Sequence, residues 1–285
     1  MTVLNEPEAP PSTPQREVMY RHSVAVRLTH WINVAIFVLL LASGLRIFNY
    51  HSALYWGNDG HDGMPSFFSI VSLQDAGAGK LVGVTTVVGH SFDTTGVLGV
   101  SYGFNGEAIE GAFPKWLILA GDLGFARAVH FDAAWLLVFN GLVYLLAGLF
   151  SGHFRRDLLP AVTELGPRHL AVDVWRHLRL RRARGATARH YNVLQKLAYV
   201  IVIFVLVPVM VLSGLAMSPA VTAAMPFLLD LFGGRQSART IHFIVADLLV
   251  LFVLVHIIQV IIAGAFNNMR AMITGRYAIL PETGK

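Results

Sequence analysis

No cysteine occurs in the 285 residues. That absence excludes an iron–sulfur cluster held by thiolates, a covalently attached c-type haem and any disulfide. Charge is scarce too: Asp, Glu, Lys and Arg make up 14% of the chain, against 55% hydrophobic residues. A soluble domain of this length would need more charge to cover its surface. The first 26 residues carry prolines at 7, 10, 11 and 14, but neither the apolar run nor the cleavage site of a secretory signal. They read as a disordered cytoplasmic tail.

What the chain has in quantity is apolar length. Mean hydropathy is +0.58. Four runs, 28–48, 128–150, 194–217 and 241–263, reach the ~20 residues that a bilayer demands. The expected fold is all-α, an integral membrane four-helix bundle over 27–285 with a long extracytoplasmic loop between helices one and two.

Basic residues set the expected orientation. The 151–191 segment carries Arg155, Arg156, Arg168, Arg176, Arg179, Arg181, Arg182, Arg184 and Arg189 against Asp157, Glu164 and Asp173. The 49–127 segment has only Lys80, Lys115 and Arg127 against seven acids. The short basic loop therefore belongs in the cytoplasm, with both termini, and 49–127 lies in the periplasm. Attraction to anionic lipid headgroups accounts for the basic loop better than nucleic-acid binding does. The outer loop, rich in glycine and aspartate, suggests a strand pair near 81–88 and 97–104. A loop of that length is usually functional.

Twelve histidines are present. His22, His51, His61, His90, His153, His169, His177 and His190 fall in tails, loops or at the interface, and read as solvated side chains. His30, His130, His242 and His256 lie within the spans, where an ionisable group is costly enough to suggest function. His242 and His256 project from nearly the same face, ~40° apart and ~21 Å apart along the axis. Helix one starts inside, which puts His30 at the level of His256. Helix two starts outside, which puts His130 at the level of His242. Two pairs at two depths follow. A two-histidine zinc site would lack further ligands, whereas haem iron needs only two axial imidazoles and then transfers electrons.

Arg27, Arg127 and Arg239 each precede one of these histidines by three residues, on the same helix face. There they could pair with haem propionates, although snorkelling explains each one equally well. Ser43-Gly44-Leu45 and Ser213-Gly214-Leu215 occupy similar positions in helices one and three. Gly44 would let a porphyrin approach the backbone, and helix–helix contact is an equal alternative. Asp247 points ~140° away from the His242 face and reads as a group bonded to a neighbouring helix.

Several of these pieces are shared with a known family. They are Arg27-Leu-Thr-His30-Trp31-Ile-Asn33, Ser43-Gly44-Leu45, His130 opening helix two, Tyr191-Asn192-Val-Leu-Gln195-Lys196, and Ile241-His242 through His256. Together they resemble the bacterial cytochrome b561 and nickel–iron hydrogenase b-type cytochrome group, which includes membrane subunits of formate dehydrogenase and thiosulfate reductase. Met272-Ile-Thr-Gly275-Arg276 is most similar to the thiosulfate-reductase-type branch. The resemblance covers all four helices but not 51–112.

It implies two b-type haems, ligated by His30/His256 and His130/His242. It also implies a quinone site beside the cytoplasmic-side haem and a catalytic oxidoreductase subunit docked on the outer face. Asn192, Gln195 and Lys196 are the candidates for the quinone site, with interfacial capping and snorkelling as their alternative. The expected function is electron transfer between the quinone pool and a periplasmic oxidoreductase, with molybdenum in the partner suggested by the thiosulfate-reductase likeness. Two rivals remain: a stand-alone superoxide:quinone oxidoreductase, and a transporter with structural histidines. Against the transporter, Pro208 is the one mid-span breaker and no convincing repeat is visible. The oligomeric state, a homo-oligomer included, is open.

Overall fold

In the computed structural model, residues 17–75, 77, 79–178 and 192–279 are described. The basic run 179–191, His190 included, and the tail 1–16 lie outside them. Four helices are long and apolar enough to cross a membrane. They are α1 (Val24–Phe48), α2 (Leu123–Phe150), α4 (Val193–Met217) and α7 (Arg235–Thr274). Between α2 and α4 runs the amphipathic α3 (Pro167–Leu178). Two short helices, α5 (Pro219–Ala224) and α6 (Phe227–Phe232), lead into α7.

α1 and α2 pack antiparallel along a stripe of mostly small residues. The buried positions on α1 include Thr29, Ile36 and Ser43, and on α2 Ala126, Ala133 and Asn140. Each set recurs every seventh residue, the repeat of close left-handed packing. Asn140 fixes the register by donating from Nδ2 to the Thr29 carbonyl (2.9 Å) and to Asn33 Oδ1 (2.7 Å). α4 packs against α7 to form a second pair.

The helices start and stop for local reasons. Ser23 and Asp122 cap the N-termini of α1 and α2 through their side chains. Pro208 falls where α4 regains α-helical bonding after a π-helical stretch, Val202–Leu206. Gly264 breaks α7 with φ 107° and ψ 86°, a conformation open in practice only to glycine.

The chain is not all-α, because the 49–127 segment folds into β-structure. A four-stranded antiparallel sheet has the order β2 (Ala53–Leu54), β3 (Phe68–Gln74), β4 (Leu81–Val87), β5 (His90–Asp93). A two-stranded ribbon joins β6 (Gly99–Tyr102) to β7 (Ala108–Gly111). The strands expected near 81–88 and 97–104 exist, but they do not pair with each other. Local turns decide the pairing: Val88-Gly89, with φ 49° and 79°, closes β4 onto β5. The turn around Gly106 closes β6 onto β7.

This β-module shares a core with the bundle. Phe48, Leu54, Ile70 and Ala112 are buried together, with Phe68, Leu98, Phe113 and Phe243 packed against them. The Asn49 side chain bonds both the N–H and the C=O of Phe113. The expected tail is also shorter than 26 residues: β1 (Val18–Tyr20) pairs with β8 (Arg276–Ala278), tying the start of α1 to the end of α7. The molecule thus has a β-module end and, opposite it, a basic end where β1 and β8 meet.

Candidate functional site

The four span histidines come together as two couples. At the basic end the His30 and His256 rings stand 6.4 Å apart, centre to centre. At the β-module end His130 and His242 stand 6.3 Å apart. A metal–imidazole nitrogen bond is about 2.0 Å, and the ring centre lies about 1.1 Å further on, so two imidazoles facing one metal ion have centres roughly 6.2 Å apart. Both separations match. Among the described residues no three His, Cys, Asp or Glu side chains cluster to hold a metal ion, so each couple offers two ligands, the number that haem iron needs and zinc does not accept.

At the β-module end the couple is held by a duplicated device. Ser43 Oγ lies 3.0 Å from His130 Nδ1, and Ser213 Oγ lies 3.0 Å from His242 Nδ1. Each serine hydroxyl donates to its own helix, Ser43 to the Leu39 carbonyl and Ser213 to the Met210 carbonyl. His242 Nδ1 also meets the Met210 carbonyl at 3.1 Å, and His130 bonds the Leu40 backbone. A carbonyl only accepts, so Nδ1 carries the proton and Nε2 keeps its lone pair, the form a metal requires.

Gly44 and Gly214 complete the symmetry. A Cβ at either would sit 3.3 or 3.4 Å from Cε1 of the adjoining histidine. Gly44 therefore makes room for the imidazole of His130 rather than for a porphyrin ring. The paired Ser-Gly-Leu motifs were the sequence signal for this device. The serines themselves escaped notice because a hydroxyl's partner depends on helix rotation.

At the basic end no such device is present among the described residues. His30 Nδ1 is buried without a hydrogen-bond partner. Its ring meets the edge of Trp31 at 5.3 Å, and His256 stacks on Phe252 at 6.0 Å and 17°. His22, expected in the solvated tail, is half-buried nearby. Burial holds its pKa down at about 4, helped by Arg21, His30, His153 and Arg27.

The flanking arginines divide. Arg239 donates to the Ala53 carbonyl at 3.0 Å and, more closely still, to the His51 carbonyl. Its guanidinium thus fastens the strand β2 to α7. Arg27 donates one Nη to the Ile273 carbonyl, while its Nε is buried without a partner among the described residues. Arg127 is exposed, its guanidinium lying over the Phe131 ring at 5.8 Å.

The quinone candidates have structural duties. Asn192 Oδ1 accepts from the Gln195 N–H at 2.9 Å, and Gln195 Oε1 accepts from the Asn192 N–H at 3.4 Å, a capping box that starts α4. Lys196 Nζ pairs with Glu164 at 2.8 Å. The capping and ion-pair alternative is what the structure shows for all three. Asp247 lies exposed on α7.

A family model described as prokaryotic cytochrome b561 matches residues 21–275. The chain belongs to this family. Prokaryotic cytochromes b561 bind haem b, and the protein is a b561-type membrane electron-transfer subunit. It is 30% identical over 260 residues to a putative protein-methionine-sulfoxide reductase subunit, YedZ1, of Azospira oryzae. That alignment covers 91% of this chain and 98% of the relative. No solved structure matches.

Proposed function

We propose that this b561 protein holds two haems, one at His30/His256 and one at His130/His242. We further propose that it carries electrons between membrane quinol and an oxidoreductase docked on the β-module. The observation that carries the reading is the pair of imidazole separations, 6.4 and 6.3 Å, in a chain whose described residues form no other ligand cluster. Haem b held by such a couple of imidazoles would supply one-electron chemistry and leave no place at the iron for substrate. The couples stand ~21 Å apart along α7. Ser43 and Ser213 fix the tautomer and ring orientation at one level, and Trp31 and Phe252 frame the rings at the other.

In this reading the His30/His256 level lies on the cytoplasmic side and the β-module in the periplasm of a bacterial inner membrane, as the excess of arginine in the 151–191 loop supports. For the quinone, a cleft of about 230 Å³ beside Trp31 replaces the Asn192, Gln195 and Lys196 region. It is lined by Val24, Arg27, Leu28, Trp31, Met272 and Ile273. Arg27 gives that otherwise apolar cleft a guanidinium for a ring oxygen. The relative's name favours a protein-methionine-sulfoxide reductase as the partner.

The test uses the protein in liposomes with a quinol inside the bilayer. Quinol should reduce the haems, and the addition of a methionine-sulfoxide reductase subunit with oxidised peptide should reoxidise them. Reduction by quinol with no reoxidation by any sulfoxide reductase would overturn the partner. Haem that quinol does not reduce would overturn the quinone link.

A further inference from the structure

Beyond Gly264, α7 changes character. The break redirects its last ten residues, and Phe266, Met269 and Ile273 are exposed on them at 94%, 42% and 61%. Their i, i+3, i+7 spacing puts the three on one face. The segment is not loose. Trp31 donates from Nε1 to the Met272 carbonyl at 3.1 Å, Arg27 donates to the Ile273 carbonyl, and the β1–β8 ribbon holds its far end. An immobilised helix with an apolar stripe, at the end of a membrane span, has the chemistry of a segment lying in the bilayer interface.

Against this segment opens a cleft of about 550 Å³ lined by Val18, Arg270, Thr274 and Arg276. Arg270 is aimed by two bonds, Nη2 to Asn267 Oδ1 at 3.1 Å and Nε to the Arg276 carbonyl at 3.3 Å. Asn267 is in turn clamped to the backbone of Ala278. Neither arginine forms an ion pair among the described residues. Two guanidiniums with free donors suit a phosphate group.

We propose that this cleft is an anionic phospholipid site, with the phosphate held by the guanidiniums of Arg270 and Arg276 and the acyl chains lying on Phe266, Met269 and Ile273. The same guanidinium pair could take a free phosphate, but the adjoining apolar stripe favours the lipid. The bound lipid would pin the junction between the end of α7 and the start of α1, one turn from His30.

The experiment is native mass spectrometry of the haem-loaded protein released from nanodiscs of mixed phosphatidylglycerol and phosphatidylcholine. The wild type should retain phosphatidylglycerol selectively. Arg276→Gln and Arg270→Gln should each weaken retention about fivefold, and together about 25-fold, while Arg270→Lys should keep most of it. An unchanged haem spectrum shows that the variants are folded. A parallel arm adds inorganic phosphate. Equal retention of the two lipids by the wild type overturns the site. So does displacement of phosphatidylglycerol by inorganic phosphate alone at matched occupancy, which would assign the cleft to a free anion. Weaker retention of phosphatidylglycerol by Phe266→Ser with both arginines intact supports the acyl-chain half, and unchanged retention in that variant overturns it.

Discussion

The two histidine couples have nearly equal ring separations and opposite surroundings. At the β-module end both Nδ1 atoms are hydrogen-bonded to a serine of the helix before, and His242 Nδ1 also to the Met210 carbonyl. The folded loop is riveted above them: Arg239 and Thr240 of α7 bond the carbonyls of 51–55, and the N–H groups of Gln236 and Ser237 converge on the Gly57 carbonyl. At the basic end His30 Nδ1 has no partner among the described residues, aromatic rings frame the couple, and an apolar cleft opens beside Trp31. Imidazole spacing decides whether a metal can bind, whereas the groups behind the imidazoles decide what it does once there. One end is hydrogen-bonded and covered by the β-module, the other framed by aromatic rings beside a cleft.

The largest effect that would sharpen this contrast is selective loss of one centre. His242→Ala should abolish haem at the β-module end and leave the other largely loaded, and His256→Ala should do the reverse, both read by haem content and optical spectrum. Equal loss of both centres in either folded variant would break the comparison.

Next comes crowding. Gly214→Val should eject the His242 ring from its seat, since even a Cβ would lie 3.4 Å from Cε1, and lower haem content by half. Gly214→Ala should be tolerated with a small spectral shift. Gly141→Val on α2, where the added Cβ meets nothing within 4 Å, is the control.

A smaller effect is electronic. An imidazole that donates from Nδ1 is a stronger base towards its metal and favours the oxidised state. Ser213→Ala should therefore raise the potential of the β-module centre and leave the other unmoved. A hydrogen bond worth about 1 kcal/mol corresponds to roughly 40 mV for one electron. A shift in the basic-end centre instead would reverse the assignment of the two levels.

The smallest effect is on the loop. Burial and then the Arg239 guanidinium hold the pKa of His51 below 6.5, with Asp62 opposing. Its neutral form thus belongs to the folded loop. The stabilisation is complete above the ordinary histidine range and fades as pH falls through 6.5 towards the lowered value, because only the unfolded loop takes up the proton there. The protection factors of amides 51–57, corrected for the intrinsic pH dependence of exchange, should fall on acidification over that window, and His51→Gln should flatten the dependence.

Much of this was legible in the sequence. The four spans and both couples follow from helical periodicity and an even number of crossings, which need no knowledge of how the helices touch. What escaped depends on contact. Ser43 and Ser213 matter through the direction of one hydroxyl, and Arg239 through carbonyls 186 and 188 residues away. The strands of the loop pair through local turns at Val88-Gly89 and Gly106, set by positive φ values that the residue pattern announced weakly. The break at Gly264 shows only in its φ of 107°, because glycine is common in membrane helices.

The most direct test is a potentiometric titration of the purified wild-type protein, followed through the haem absorption. Two one-electron steps with a haem-to-protein ratio of two are the predicted result, and Ser213→Ala should displace only one of the steps. A ratio of one, or the absence of b-type haem bands, would contradict the account.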